Sequence, residues 1–121
     1  SSYWDDDTEM TYPLILAKIP VKNPWEIFAY LPFGNWNDCP DTPELMAAAK
    51  YWFQQHGAIP AAMSHDELEF ELPTPISKER AMEVAVEQYG FCPDLDQNED
   101  GSIGSLADVL WQSTVWYFWW D

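Results

Sequence analysis

The sequence predicts an α+β domain, in which a mainly antiparallel sheet of about five strands packs against two longer helices and one short helix. The chain of 121 residues has the size of one domain with a single core, and 47% of its residues are hydrophobic. Short apolar runs bounded by proline or glycine alternate with two segments of helical periodicity. Five of the seven residues from 115 to 121 are aromatic, which is typical of a strand buried on both faces. We therefore expect this aromatic strand at the centre of the sheet.

The N-terminal part of the chain is predicted to hold an acidic arm followed by two strands. Residues 1–12 include four carboxylates, so we expect an arm with little order, and we assign residues 13–121 to the single domain. The apolar runs Leu14 to Val21 and Trp25 to Leu31 each predict a strand. Asn23 and Pro24 separate them, which favours a hairpin.

Capping signals predict the three helices. Thr42 as N-cap with Pro43 after it predicts a helix from Pro43 to Gln55, which Gly57 ends. A second helix is predicted over Lys78 to Tyr89, with residues 81, 82, 85, 86 and 89 facing the core. A capping box that begins at Ser105 predicts a short helix to about residue 111.

Two further strands are predicted between the longer helices. Ala58 to Met63 is apolar but contains Pro60, which places it near a sheet edge. From residue 67 to 72, glutamates at odd positions alternate with apolar residues at even positions. One face therefore packs on the core, and the other is predicted to be a solvated row of Glu67, Glu69 and Glu71.

The balance of charge is strongly acidic. Twenty-one Asp and Glu residues against five Lys and Arg residues give a formal net charge of -16. Such a field repels phosphate, which argues against nucleic-acid and anionic-membrane partners and favours a basic protein. Alternatively, the charge simply keeps a tryptophan-rich chain soluble.

No apolar run reaches the roughly 18 residues of a membrane span, so we expect a cytoplasmic protein with reduced thiols. The sequence makes no prediction of oligomeric state.

An acidic segment resembles the start of a calcium-binding loop. Oxygen-bearing side chains recur at alternate positions from residue 96, Gly101 occupies the sixth position, and an aliphatic residue occupies the eighth. The twelfth position is Ala107 instead of the bidentate glutamate of that motif. The segment therefore predicts either a calcium site or a plain acidic turn, and its candidate ligands are Asp96, Asn98, Asp100 and Ser102.

Two cysteines, each followed by proline, form a second candidate site. Cys39 and Cys92 lie at the ends of predicted elements, so they are candidates to meet in space. Three alternatives follow: buried unpaired thiols, a disulfide, or a zinc or nucleophile site with His65, which Asp66 would orient. No CxxC, GxSxG, HExxH or glycine-rich phosphate motif is present. No cofactor is predicted beyond the calcium and zinc alternatives.

Five separated motifs resemble a known family. They are GNWNDCP (34–40), KYWFQQHGA (50–58), SHDELEFEL (64–72), EQYGFCPD (87–94) and VWYFWWD (115–121). Together they are similar to a bacterial family catalogued as domain of unknown function 4253, over residues 13–121. The resemblance implies a bacterial cytosolic domain and carries over no activity; the acidic segment 96–101 lies outside its pattern. The family-like positions, expected to form a surface cleft, are Trp36, Asn37, Cys39, His65, Asp66, Cys92, Asp94, Trp119 and Asp121.

These observations favour a protein-interaction module that binds a basic partner, for example in an immunity or antitoxin-like role. Its predicted binding residues are Trp36, Asn37 and the glutamate row. The alternative is a hydrolase or thiol-dependent enzyme that uses Cys39, His65, Asp66 and Cys92. Calcium binding by residues 96–101 is the further alternative. A purely structural role for the motif residues also fits the sequence.

Overall fold

A computed structural model of the chain describes residues 3–97 and 102–121. Across these residues the strands are β1 (Trp4–Asp5), β2 (Met10–Thr11), β3 (Ile59–Met63), β4 (Glu67–Glu71) and β5 (Val115–Trp119). The α-helices are α1 (Thr42–His56), α2 (Lys78–Phe91) and α3 (Ile103–Leu110), and 3-10 helices span Pro24–Ala29 and Pro93–Gln97. The predicted α+β class is confirmed. No helix in the described part of the chain is long and apolar enough to cross a membrane.

The five strands form two antiparallel sheets, one of β1 and β2 and one ordered β3-β4-β5. The central strand of the larger sheet is therefore β4, and the aromatic strand β5 lies at an edge instead of the predicted centre. β5 pairs with β4 along one edge, and it is buried on one face only instead of on both. Trp116 and Phe118 are almost fully buried, whereas Val115 and Tyr117 are 38% and 40% exposed.

The N-terminal part differs most from the sequence prediction. Leu14 to Val21 forms no strand, and the second predicted strand is replaced by the 3-10 helix Pro24–Ala29. Asn23 and Glu26 form a capping box around Pro24, and this local capping competes with strand formation. The acidic arm also has more order than expected, because β1 and β2 pair as a short hairpin.

The three α-helices occur close to their predicted positions, although their ends differ by a few residues and α2 buries a different face from the one predicted. Asp41, one residue before the predicted cap, accepts a hydrogen bond from the Glu44 main-chain nitrogen at 3.0 Å and caps α1. Gly57 ends α1 in the left-handed conformation, at φ 72°. The buried face of α2 passes through residues 81, 84, 85 and 88, so Met82 and Val86, predicted to face inward, are exposed.

Aromatic side chains fill the core between α1 and the three-stranded sheet. The Trp52 ring of α1 stacks on Phe118 with ring centroids 5.5 Å apart. It also meets Phe70, Phe91 and Trp116 edge-on, at centroid distances of 4.9 to 5.6 Å. Offset and edge-on pairs of this kind are favourable because the negative ring faces meet the positive ring edges. This packing fixes the inner face of the sheet and leaves the glutamates of β4 on the opposite face.

Candidate interaction site

Three loops that hold family-like residues converge on the segment after β5. The Asn37 side-chain amide donates to the main-chain oxygen of Asp121 at 2.7 Å. The main-chain nitrogen of Asp121 donates to a carboxylate oxygen of Asp94 at 2.9 Å. The main-chain nitrogen of Trp120 donates to the main-chain oxygen of Asp66 at 3.2 Å. Segments that are distant in sequence are thus held together at one end of the sheet.

The loop from Gly34 to Pro40 has a tight conformation that its residue types allow. Gly34, Asn35 and Asn37 all have positive φ, and asparagine tolerates this region better than most residues. A Cβ atom on Gly34 would lie 2.2 Å from the main-chain oxygen of Pro40. Glycine is therefore required at this position, and the loop presents a half-buried Trp36 beside an exposed Asn37.

The two cysteines are buried and unpaired, which is the first of the three predicted alternatives. Cys39 is 5% exposed, Cys92 is 0% exposed, and both are free thiols. Burial raises the pKa of each thiol to about 12. The Cys92 thiol also donates to the main-chain oxygen of Trp119 at 3.1 Å. Both thiols are protonated at neutral pH, which disfavours nucleophilic and metal-binding roles, because those roles need the thiolate.

His65 lies on the surface, away from the buried interior that holds the thiols. Its side chain is 89% exposed, and Nε2 lies 3.4 Å from a carboxylate oxygen of Asp66. The histidine and the aspartate therefore form the predicted pair, but on an open surface instead of in a pocket with a thiol. Across residues 3–97 and 102–121, no three His, Cys, Asp or Glu side chains are grouped so that they could hold a metal ion.

Most of the candidate calcium segment lies outside the described residues. Asn98 and Asp100 are outside them, as is the side chain of Asp96. Ser102 is described, and its hydroxyl accepts a hydrogen bond from the Ser105 main-chain nitrogen at 3.0 Å. Ser102 therefore caps α3, three residues before the predicted start of that helix.

The register between β4 and β5 places the glutamate row beside aromatic residues. Glu67, Glu69 and Glu71 lie opposite Trp119, Tyr117 and Val115, respectively. We call these six residues the acidic aromatic face. The Tyr117 hydroxyl donates to a Glu67 carboxylate oxygen at 2.6 Å. Burial, followed by the carboxylate of Glu67, raises the pKa of Tyr117, so the phenol is a neutral donor.

The glutamate row is not solvated along its whole length. Glu71 is exposed and Glu67 is half-buried, but Glu69 is only 3% exposed, so the predicted solvation of the row is wrong at Glu69. Glu69 lies in the central strand between Ala62 of β3 and Tyr117 of β5, and its neighbours on both sides shield it. The two outer carboxylates are therefore the accessible acids of the face.

Tyr117 was not predicted as a member of this face. In β5, Val115, Tyr117 and Trp119 alternate with buried residues. The two-residue period of a strand was the sequence signal that could have placed Tyr117 on this face. A dense aromatic run conceals this alternation, because every position in the run is apolar. The loop of Trp36 and Asn37 lies at the Trp119 end, since Asn37 bonds to Asp121 two residues later.

A comparison with known families assigns the chain to one of them. The family profile described as "Domain of unknown function (DUF4253)" matches residues 15–121. The chain belongs to the DUF4253 family. The matched part of this DUF4253 domain contains the acidic aromatic face and the converging loops, whereas β1 and β2 precede it. Searches of curated proteins and of solved structures found no match to the chain.

Proposed function

We propose that this DUF4253 domain is a bacterial, cytoplasmic interaction module that docks a basic protein on its acidic aromatic face. The observation that carries the proposal is the β4–β5 register, which aligns the three glutamates with two aromatic rings, an exposed Tyr117 and a half-buried Trp119, and with an exposed valine. Carboxylates select a partner by charge, and aromatic rings supply buried contact area once the partner is bound.

Charge supports a basic partner. The acidic aromatic face continues into Asp66 at one turn and towards Asp94 and Asp121 at the converging loops. The five basic residues of the chain lie elsewhere in the sequence, at positions 18, 22, 50, 78 and 80. With a formal net charge of -16, the molecule attracts a basic protein over a distance of about one Debye length, roughly 8–10 Å at physiological salt. An immunity or antitoxin-like role would fit, because such a protein could neutralise a basic target by covering it.

Ring chemistry supports contact with a protein surface. Tyr117 is 40% exposed, and Trp36 and Trp119 are half-buried. Tyrosine and tryptophan are enriched among the residues that dominate binding energy, because they bury large areas with few rotatable bonds. The Glu67 carboxylate already holds the Tyr117 hydroxyl, so less conformational freedom is lost on binding.

The buried thiols support the module over the thiol-dependent enzyme. An enzyme of that class needs a thiolate within reach of a base, whereas burial raises the pKa of both thiols to about 12. His65, the predicted base, projects into solvent. These features fit a role for the cysteines in packing the ends of the converging loops.

The proposal is tested by affinity capture from a lysate of the source organism with the wild-type domain and two charge variants. Glu71→Lys reverses an exposed carboxylate of the face. Glu79→Lys, at an exposed position on α2, makes the same change in net charge and is the matched control. We expect a basic protein to be retained at low salt and released at high salt. Glu71→Lys should weaken its binding about tenfold, and the control about twofold or less. Equal weakening by both variants, or nothing retained at low salt, would contradict the proposal.

A further inference from the structure

A second surface of the molecule is a groove along the outer edge of β3. Its volume is about 1030 Å³. It is lined on one side by β3, the turn that follows it and the start of β4, and on the other by the N-terminal hairpin and the run from Tyr12 to Ala17. Ile27 and Leu31, from the segment of the first 3-10 helix, complete the lining. We call it the β3 groove. Most of its lining is apolar or aromatic, and Ala61, Ala62 and Met63 contribute the β3 side.

The main chain along both walls is available for pairing. Among residues 3–97 and 102–121, β3 is an edge strand that pairs with β4 along one edge and with no other strand. In the described part of the chain, no main-chain hydrogen bond joins the outer edge of β3, or the run Pro13 to Lys18, to another segment. The sequence of this run predicts a strand, yet it pairs with no strand that the structure describes. An extended peptide in the β3 groove would therefore meet strand-forming main chain on both sides.

The shape of β3 limits where a peptide can pair. The register with β4 shifts between Pro60 and Ala62, and Ala61 lies exposed at this irregularity. Pro60 has no N–H group, so pairing is confined to the segment from Ala61 onward. A short hydrogen-bonded segment gives modest affinity, and apolar contacts along the groove must supply the rest.

The apolar wall of the groove is unusually accessible. Ile15 and Leu16 are 95% and 99% exposed, and Leu14 is 61% exposed. Contiguous apolar surface of this kind on an otherwise acidic protein marks an interaction site. Covering this run with a partner would remove its apolar side chains from water.

Charge decides between two possible occupants of the groove. A second copy of this chain would bring together two molecules of formal charge -16, which repel one another. The one carboxylate among the lining residues is that of Glu67, and no lysine or arginine lines the groove in the described part of the chain. A peptide with basic ends is attracted by this carboxylate and by the net negative charge of the molecule, whereas an acidic peptide is repelled.

We infer that the β3 groove binds an extended apolar segment of another protein, flanked by Lys or Arg, which adds to β3 as a further strand. The ligand class is thus a short, strand-forming peptide with basic ends. The inference goes beyond docking on the acidic aromatic face, since the two surfaces share only Glu67.

The inference is tested with a synthetic peptide of about nine residues, in which valine and threonine alternate between two lysines at each end. The wild-type domain is titrated with the peptide, and binding is followed by NMR and amide hydrogen exchange. We expect shift changes and slower exchange for Ala61, Ala62 and Met63. A peptide with glutamates in place of the lysines, and one with methylated backbone amides, should each bind at least about tenfold more weakly.

Two arginine variants locate the site. Ala61→Arg places a bulky cation in the groove, whereas Ala47→Arg makes the same change at an exposed position on α1. Ala61→Arg should weaken peptide binding at least about tenfold, and Ala47→Arg should leave it nearly unchanged. Neither variant alters the acidic aromatic face. Binding of a basic protein to that face is therefore tested separately, with Glu71→Lys.

Several results would overturn the inference. Equal binding of the methylated peptide would exclude strand addition. Shift changes confined to β4 and β5 would place the peptide on the acidic aromatic face. Strong protection of the amides on the outer edge of β3 from hydrogen exchange, in the absence of peptide, would show that a second copy or the run from Pro13 already pairs with this edge. Analytical ultracentrifugation distinguishes these two cases.

Discussion

His56 combines partial burial with a ring nitrogen that has no hydrogen-bond partner among the described residues. Its ring lies 5.7 Å from that of Trp116 at an angle of 72°, and its Nε2 atom is shielded from solvent. Burial, and then the nearby charge of Arg80, lowers the pKa of His56, while Glu87 and Glu83 oppose this effect. The native structure therefore favours the neutral imidazole.

This shift predicts a specific pH dependence of stability. The unfolded chain binds a proton at His56 near its ordinary pKa of 6.5, whereas the folded chain binds it only at lower pH. The contribution of His56 to the free energy of unfolding is therefore complete above pH 6.5 and is lost as the pH falls below that value. His56→Gln should reduce the difference in stability between pH 7 and pH 5, measured by urea unfolding. His65→Gln, at an exposed histidine, is the control, and similar slopes for both variants would refute the prediction.

At the scale of single elements, α1 is anchored to the sheet by Trp52. This side chain is 3% exposed and contacts rings of both β4 and β5, while its indole nitrogen donates to Glu87 of α2 at 3.4 Å. Trp52→Ala is expected to lower the free energy of unfolding by about 3–5 kcal/mol, because it leaves a large cavity among rigid rings. Chemical denaturation measures this loss.

The neighbouring residue provides the control for that experiment. Tyr51 is 41% exposed, and its hydroxyl bonds to Glu87 on the surface. Tyr51→Phe removes only that hydroxyl, so the expected change is within about 0.5 kcal/mol. A loss for Trp52→Ala as small as that for Tyr51→Phe would mean that the aromatic cluster does not hold α1 in place.

Elements with a clear period were predictable from sequence. The spacing of Leu45, Ala49 and Trp52 identified α1, and the alternation from Glu67 identified β4. The run Trp25 to Leu31 was misjudged because its apolar content outweighed the local signal of Asn23, Pro24 and Glu26. The inner face of α2 was misjudged because it includes Gln88, a polar residue that a count of apolar positions cannot select.

The candidate site was predictable only in part. Its residues were found as motifs, and the structure draws several of the motif segments together at the end of β5. The roles of these residues could not be predicted from the sequence, because the burial of a thiol and the pairing of Glu67 with Trp119 depend on contacts between distant segments. Strand register in particular is fixed by packing that no local pattern records.

For the whole molecule, charge is expected to set the salt dependence of stability. The chain has twenty-one acidic residues and only five basic ones. The excess negative charges repel one another more strongly in the compact state, where they are closer together, than in the unfolded chain. Added NaCl screens this repulsion, so the melting temperature should rise between about 0.02 and 0.5 M NaCl. Calorimetry of the wild-type domain checks this, and an unchanged or lower melting temperature would show that self-repulsion does not limit stability.

The hydrogen bonds that β5 and the residues after it make with distant segments affect how the acidic aromatic face forms during folding. Asn37 and Asp121 are 84 positions apart, and Tyr117 and Glu67 are 50 apart. Because the residues in each pair are so far apart in the sequence, forming these contacts requires the closure of long chain segments, which costs conformational entropy. β5 supplies half of the acidic aromatic face, so local opening of this edge strand would dismantle the face. Recognition is thus coupled to cooperativity: a partner that holds β5 in place also shifts the folding equilibrium towards the native state.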